Sequence, residues 1–135
     1  MSHTATGRAA APAMLVTLRV TAVLTVVLLL WQFVTAGVFV GQPGGEAAES
    51  AHATGAIVLH VLSGLTTVAA ALLWRGGASL WPTIVAALVF VLSFVQAYVG
   101  SHGPLLVHVP GAMILTIGAV LVAAWSITSG PAHAR

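Results

Sequence analysis

Four apolar runs, each about as long as one membrane crossing, take up nearly all of this chain of 135 residues. A hydrocarbon core of ~30 Å is spanned by about 20 helical residues, and in that medium backbone polar groups must be satisfied within the spanning element itself. The breaks between the runs predict helices over about 13–40, 51–74, 80–100 and 104–128. Only 4% of residues are charged, against roughly a quarter in a soluble domain, so the chain cannot dress a water-facing surface. It reads as all-α: one integral membrane domain over 1–135, an up-down four-helix bundle in contact with membrane lipid.

Composition also excludes other classes. The high pI rests on four arginines against two glutamates, spread through the chain and not clustered, which is not the basic footprint of nucleic-acid binding. With no cysteine there are no disulfides, thiolate metal sites, iron–sulfur clusters or covalent haem attachments.

In chain order, Met1 to Pro12 is small and polar and is expected to be a loose tail. The first run is too long for the apolar centre of a secretory signal and lacks a small-residue cleavage site, so it is read as a retained helix. Thr17, Thr21 and Thr25 recur every four residues, and Gln32 lies seven beyond. They share one face, expected to point into the bundle, where hydroxyls bond back to the helix and the amide finds a partner. The loop Gly41 to Ser50 holds Pro43-Gly44-Gly45 and both acids, Glu46 and Glu49; helix two begins either after it or as early as Glu46. Arg75-Gly76-Gly77-Ala78-Ser79 turns the chain. Pro82 is tolerated in the first turn of helix three, Ser101-His102-Gly103-Pro104 forms a tight link, and Gly130-Pro131 closes helix four.

Four spans bring Arg8, Arg19, Arg75 and Arg135 to one side and both glutamates to the other. The positive-inside rule then places both termini in the cytoplasm. A weak repeat accompanies this topology, for Gln32 and Gln96 each stand near the end of the helix preceding a His-x-x-Gly-Ala run. The chain looks like two helical hairpins, and repeats of this kind place binding sites at their interface.

Those two runs carry the chemistry. His52-Ala53-Thr54-Gly55-Ala56 opens helix two and His108-Val109-Pro110-Gly111-Ala112 lies near the start of helix four. An imidazole in an apolar run is costly, and two in matched contexts call for a common partner. Helices two and four are diagonal in an up-down bundle and descend from the same end. Their histidines stand within about one turn of each other, ~5 Å in depth. Diagonal imidazoles at similar depth suit the two axial positions of a haem, with Gly55 and Gly111 leaving room for the macrocycle and Pro110 bending helix four near its ligand. The plain alternative is that both rings are hydrogen-bonded packing residues. His60, two turns below His52 and about 80° round the helix, is an alternative ligand or a buried polar contact to Gln32, Gln96 or a threonine. His102 reads as an interfacial residue or a contact for haem propionates; His3 and His133 fall in the tails. Glu49, one turn before His52, is either a solvated first-turn carboxylate favoured by the helix dipole or a catalytic proton donor.

Glu49-x-x-His52-x-x-Gly55, with His108 at the head of helix four, resembles one four-helix half of the haem A synthase family. That resemblance implies His52 and His108 as haem ligands and Glu49 as a catalytic carboxylate. The chain differs in having one bundle instead of two, no loop cysteines, and Ala53 where an arginine is usual, so methyl oxidation of a haem substrate is not what the resemblance implies here. Across most of its length, Gln32-Phe33-x-x-Ala36-Gly37-Val38-Phe39, Leu59-His60 and Leu106-Val107-His108-x-x-Gly111 also resemble an uncharacterised family of small four-span bacterial membrane proteins.

The expected function is therefore a b-type haem protein of the bacterial inner membrane. Its iron would be bis-histidine ligated, passing electrons to or from a quinone or a respiratory-chain membrane protein, or handling haem. Competing with it are a cofactor-free accessory or assembly subunit, in which Ser63-Gly64 and Thr66-Thr67 pack against a partner helix, and a small transporter that uses the imidazoles as a proton relay.

Overall fold

The computed structural model describes residues 5–42 and 45–129, with side chains from Pro12 onward. Four helices follow one another: α1 (Ala5–Gly41), α2 (Glu46–Arg75), α3 (Trp81–His102) and α4 (Leu105–Thr128). All four are long and apolar enough to cross a membrane. Each packs against its two neighbours in a closed ring, α1 on α2 and α4, α3 on α2 and α4, leaving α1–α3 and α2–α4 as the diagonals. His3, Pro43, Gly44, Gly130, Pro131, His133 and Arg135, and the Arg8 side chain, lie outside the described residues.

Boundaries depart from expectation at three places. The helix expected over 13–40 begins at Ala5, because Ala9, Ala10, Ala11 and Ala13 favour helix strongly enough to carry it through Pro12. Helix two takes the earlier of its two starts, with Glu46 and Glu49 in the first turn, where the positive end of the dipole favours carboxylates. Ser101 and His102 belong to α3, so the link to α4 shrinks to Gly103-Pro104. The turn after α2 is closed by Ala78 donating to the Leu73 carbonyl at 3.1 Å, a return that needs Gly77 at φ 102°.

Packing is inside-out relative to a soluble bundle. Branched aliphatics face outward, Ile57 and Ile114 being about two-thirds exposed, while small and hydroxyl residues face inward and let the helices approach closely. An apolar cluster near the termini joins Leu15, Leu18, Ala70, Leu73, Ala86 and Val122. A second, at mid-height, joins Leu29, Leu59, Val89 and Ala119. Thr25, Ser63 and Thr66 line a void of about 10 Å³ between them. Their hydroxyls bond back to their own helices at 2.7–2.8 Å, and Thr25 also meets Thr66 across α1–α2 at 3.3 Å. The inward stripe of α1 thus runs through Thr21, Thr25 and Gln32, whereas Thr17 is exposed and bonds only to the Ala13 carbonyl.

Arg19 sits well inside α1 and is part-buried. Its guanidinium donates to the Ser126 and Ser129 carbonyls, both at 2.7 Å. These close the last turn of α4, where free carbonyls and the negative end of the dipole favour a cation, so one side chain ties the first helix to the last. Replacing it strands two acceptors. Arg19→Ala is expected to lower stability in detergent by roughly 2 kcal/mol, measured by chemical unfolding in mixed micelles. Arg19→Lys recovers only part of this, because an ammonium lacks the planar fork.

Candidate functional site

Above the second apolar cluster, at the end opposite the termini, the bundle interior turns polar. Inward positions recur at alternating steps of three and four, which carries α1 from Leu29 to Gln32, α2 from Leu59 back through Gly55 to His52, and α4 from Leu115 back through Gly111 to His108. The interior there holds two imidazoles, the amides of Gln32 and Gln96, and the hydroxyl of Thr35.

His52 is held on three sides. Its Nδ1 lies 3.1 Å from the Gln32 carbonyl oxygen and 3.1 Å from Thr35 Oγ1, and Phe39 meets the ring edge-on at 5.4 Å. A carbonyl can only accept, so Nδ1 carries the proton. The Thr35 hydroxyl accepts from the ring while directing its own hydrogen to the carbonyls of Trp31 or Gln32, each at 3.1 Å. The neutral ring therefore presents Nε2 as a bare lone pair. A metal-binding histidine needs this arrangement, with the remote N–H given to a carbonyl and the other nitrogen free. Gln32 completes the clasp by donating its Nε2 to the His52 carbonyl at 3.1 Å.

His108 comes from the diagonal helix, and its ring centre lies 6.4 Å from that of His52 with the planes at 69°. Imidazoles on opposite sides of one ion stand about 6 Å apart between centres, given metal–nitrogen bonds of ~2 Å. The His108 ring packs on Gly100 of α3, where a Cβ would fall 2.7 Å from Cε1. Its Nδ1 is buried with no partner, as are Oε1 of Gln32 and Oε1 of Gln96. Buried polar atoms without partners are costly in an apolar chain.

The repeat is visible in space. Gln32 of α1 lies on Gly55 of α2, where an added Cβ would stand 2.7 Å from Nε2, and Gln96 of α3 lies on Gly111 of α4 in closer contact still. The room expected at Gly55 and Gly111 is thus filled by the two amides, which form a floor one turn below the rings. Thr35 has no counterpart in the second hairpin, where Val99 stands three residues after Gln96.

Other expected residues lie apart. His60 faces α3 and stacks on Phe94, ring centres 4.0 Å apart and planes within 5°; neither Gln32, Gln96 nor a threonine meets it. His102 stacks on Tyr98 and lies 3.1 Å from the Tyr98 carbonyl. The Glu49 side chain is exposed in the first turn of α2. Among the described residues no three His, Cys, Asp or Glu side chains converge, so a metal at this point would have the two imidazoles as its strong protein donors. Thr35 and Gly100 are the site residues that sequence reasoning did not single out. Thr35 could have been found as the next inward position after Gln32, while nothing in the sequence marks Gly100 as the seat of His108.

No family model, curated protein or solved structure matches the chain.

A double-mutant cycle tests the glutamine–glycine contacts. Gly111→Ala alone is expected to cost roughly 1–3 kcal/mol, as overpacking does. In a Gln96→Ala background the same change should cost far less, and unfolding in mixed micelles should give a coupling of roughly 1 kcal/mol or more.

Proposed function

We propose that this chain is an integral membrane protein of the bacterial inner membrane that binds one haem b between His52 and His108. Its role is to pass electrons to or from a quinone or a respiratory-chain membrane protein, or to handle haem for another membrane complex. The reading is supported above all by one observation: imidazoles on diagonal helices lie 6.4 Å apart between ring centres, and one of them has its Nδ1 bonded to a main-chain carbonyl and its Nε2 in no hydrogen bond. Arg19 and Arg75 near one end of the bundle and Glu46 and Glu49 at the other support a topology with both termini in the cytoplasm.

The donor set fits haem better than a bare ion. Two neutral imidazoles without carboxylate or thiolate make a weak cage for a dication, whereas a macrocycle brings four nitrogens and needs only axial ligands. Neither apolar cluster includes residues at this end of the bundle. Held by His52 and His108, such a group would supply one-electron chemistry. The protein's part is to orient and to shield. Thr35 and the Gln32 carbonyl fix the His52 tautomer, Phe39 flanks the ring, and Gln32 and Gln96 separate the site from the apolar core.

Purified after haem-replete expression, the protein is expected to show a sharp Soret band that disappears in the His52→Ala/His108→Ala variant. A colourless native protein would sink the proposal in favour of a cofactor-free accessory subunit. Thr35→Val should keep the haem but shift its midpoint potential, since the ring loses one of its two acceptors; potentiometric titration reads this.

A further inference from the structure

A lateral groove between α1 and α2 adjoins the site without belonging to it. It is a shallow, open groove of about 450 Å³ on the outer flank of the bundle, lined among others by Leu28 and Trp31 of α1 and by Ser50, Thr54, Gly55 and Val58 of α2. Its volume falls in the range of small-molecule sites, ~300–1,000 Å³. Gly55 is shared, since it lines the groove while Gln32 occupies the place of its missing Cβ.

Two features identify what this groove suits. The first is a pair of unspent hydroxyls. Elsewhere in the bundle serine and threonine side chains bond back to their own helix, as Thr21, Ser63 and Thr116 do. Ser50 and Thr54, one turn apart on the groove face, make no hydrogen bond among the described residues, and of the other helical serines and threonines with described side chains only Thr83 makes none. Both residues are exposed, so their hydroxyls are open to a polar partner lying in the groove. The second is charge. No cation lines the groove, and the nearest charged positions in sequence, Glu46 and Glu49, stand in the same first turn of α2. An anionic phospholipid head would gain no ion pair there and would meet two like charges. A neutral head bearing carbonyl or hydroxyl oxygens, flat enough to lie on the half-exposed Trp31 indole and carrying an apolar tail along Leu28 and Val58, meets every wall.

We propose that the α1–α2 groove is a lateral binding site for an isoprenoid quinone or quinol, its ring oxygens bonded to Ser50 and Thr54. Binding stands on the groove alone. Only the use of the bound ring as an electron partner rests on the haem reading.

The test is photolabelling of the full chain in phosphatidylcholine nanodiscs with a short-chain azidoquinone, mapped by mass spectrometry. Label is expected on 28–31 and 50–58 and should be displaced by unlabelled decylquinone. Ser50→Ala/Thr54→Val should weaken labelling roughly tenfold, the loss of about two hydrogen bonds, while Ser50→Thr/Thr54→Ser, which keeps both hydroxyls, should label like the native chain. A native protein that is colourless yet takes the probe at these positions refutes the haem and leaves the quinone site standing. Labelling spread evenly over the outward-facing residues and indifferent to the hydroxyl variants would overturn the proposal. So would displacement by phosphatidylglycerol as effective as that by decylquinone, which would assign the groove to phospholipid.

Discussion

An imidazole set among apolar helices must give its N–H to an acceptor, and at His52 that acceptor is the main-chain carbonyl of Gln32. The bond is reciprocal, since the Gln32 side chain donates to the main-chain carbonyl of His52. Two residues on adjacent helices thus satisfy one another twice, and in doing so set the register of α1 against α2. Much of the site follows from this clasp. Gly55 has to lack a side chain because the Gln32 amide passes where its Cβ would be. Thr35, one turn beyond Gln32, falls within reach of the same ring nitrogen. The proton is confined to Nδ1, and Nε2 is left bare.

The second hairpin repeats the plan and leaves it incomplete. Gln96 lies on Gly111 as Gln32 lies on Gly55, yet His108 has no threonine beside it and its Nδ1 has no partner. One ring is held in a single tautomer while the other, resting on Gly100, keeps both. A pair built this way is asymmetric, with one ring oriented by hydrogen bonds and the other by packing alone. Oε1 of Gln32 and Oε1 of Gln96 are likewise buried without partners. Stability comes from elsewhere: two apolar clusters in the rest of the bundle and the Arg19 fork that joins α1 to α4.

Much of the architecture is legible in the order of residues. Helices two to four start and stop within a few residues of where Gly, Pro and charge interrupt the apolar runs, because those residues punctuate helices for local reasons. The start of α1 was not legible: a stretch of small residues reads as a tail, yet its alanines favour helix. Within the site, His52, His108, Gln32 and Gln96 were visible as breaches of hydrophobicity in matched contexts. Thr35 was hidden among the many threonines whose hydroxyls bond back to their own helix. His60 shows the converse, for a histidine in an apolar run draws notice in sequence and in the fold lies flat against Phe94.

The sequence by itself determined four helices of spanning length and the diagonal placement of the two His-x-x-Gly-Ala runs, since hydropathy and short links act within or between consecutive elements. What only the tertiary structure decided was which groups meet: that Gln32 clasps His52, that the His108 ring centre lies 6.4 Å away, and that His60 stacks on Phe94. Rotation of one helix about its axis and sliding along a neighbour change those meetings without changing any local preference. They are settled only when all four packing faces are satisfied together.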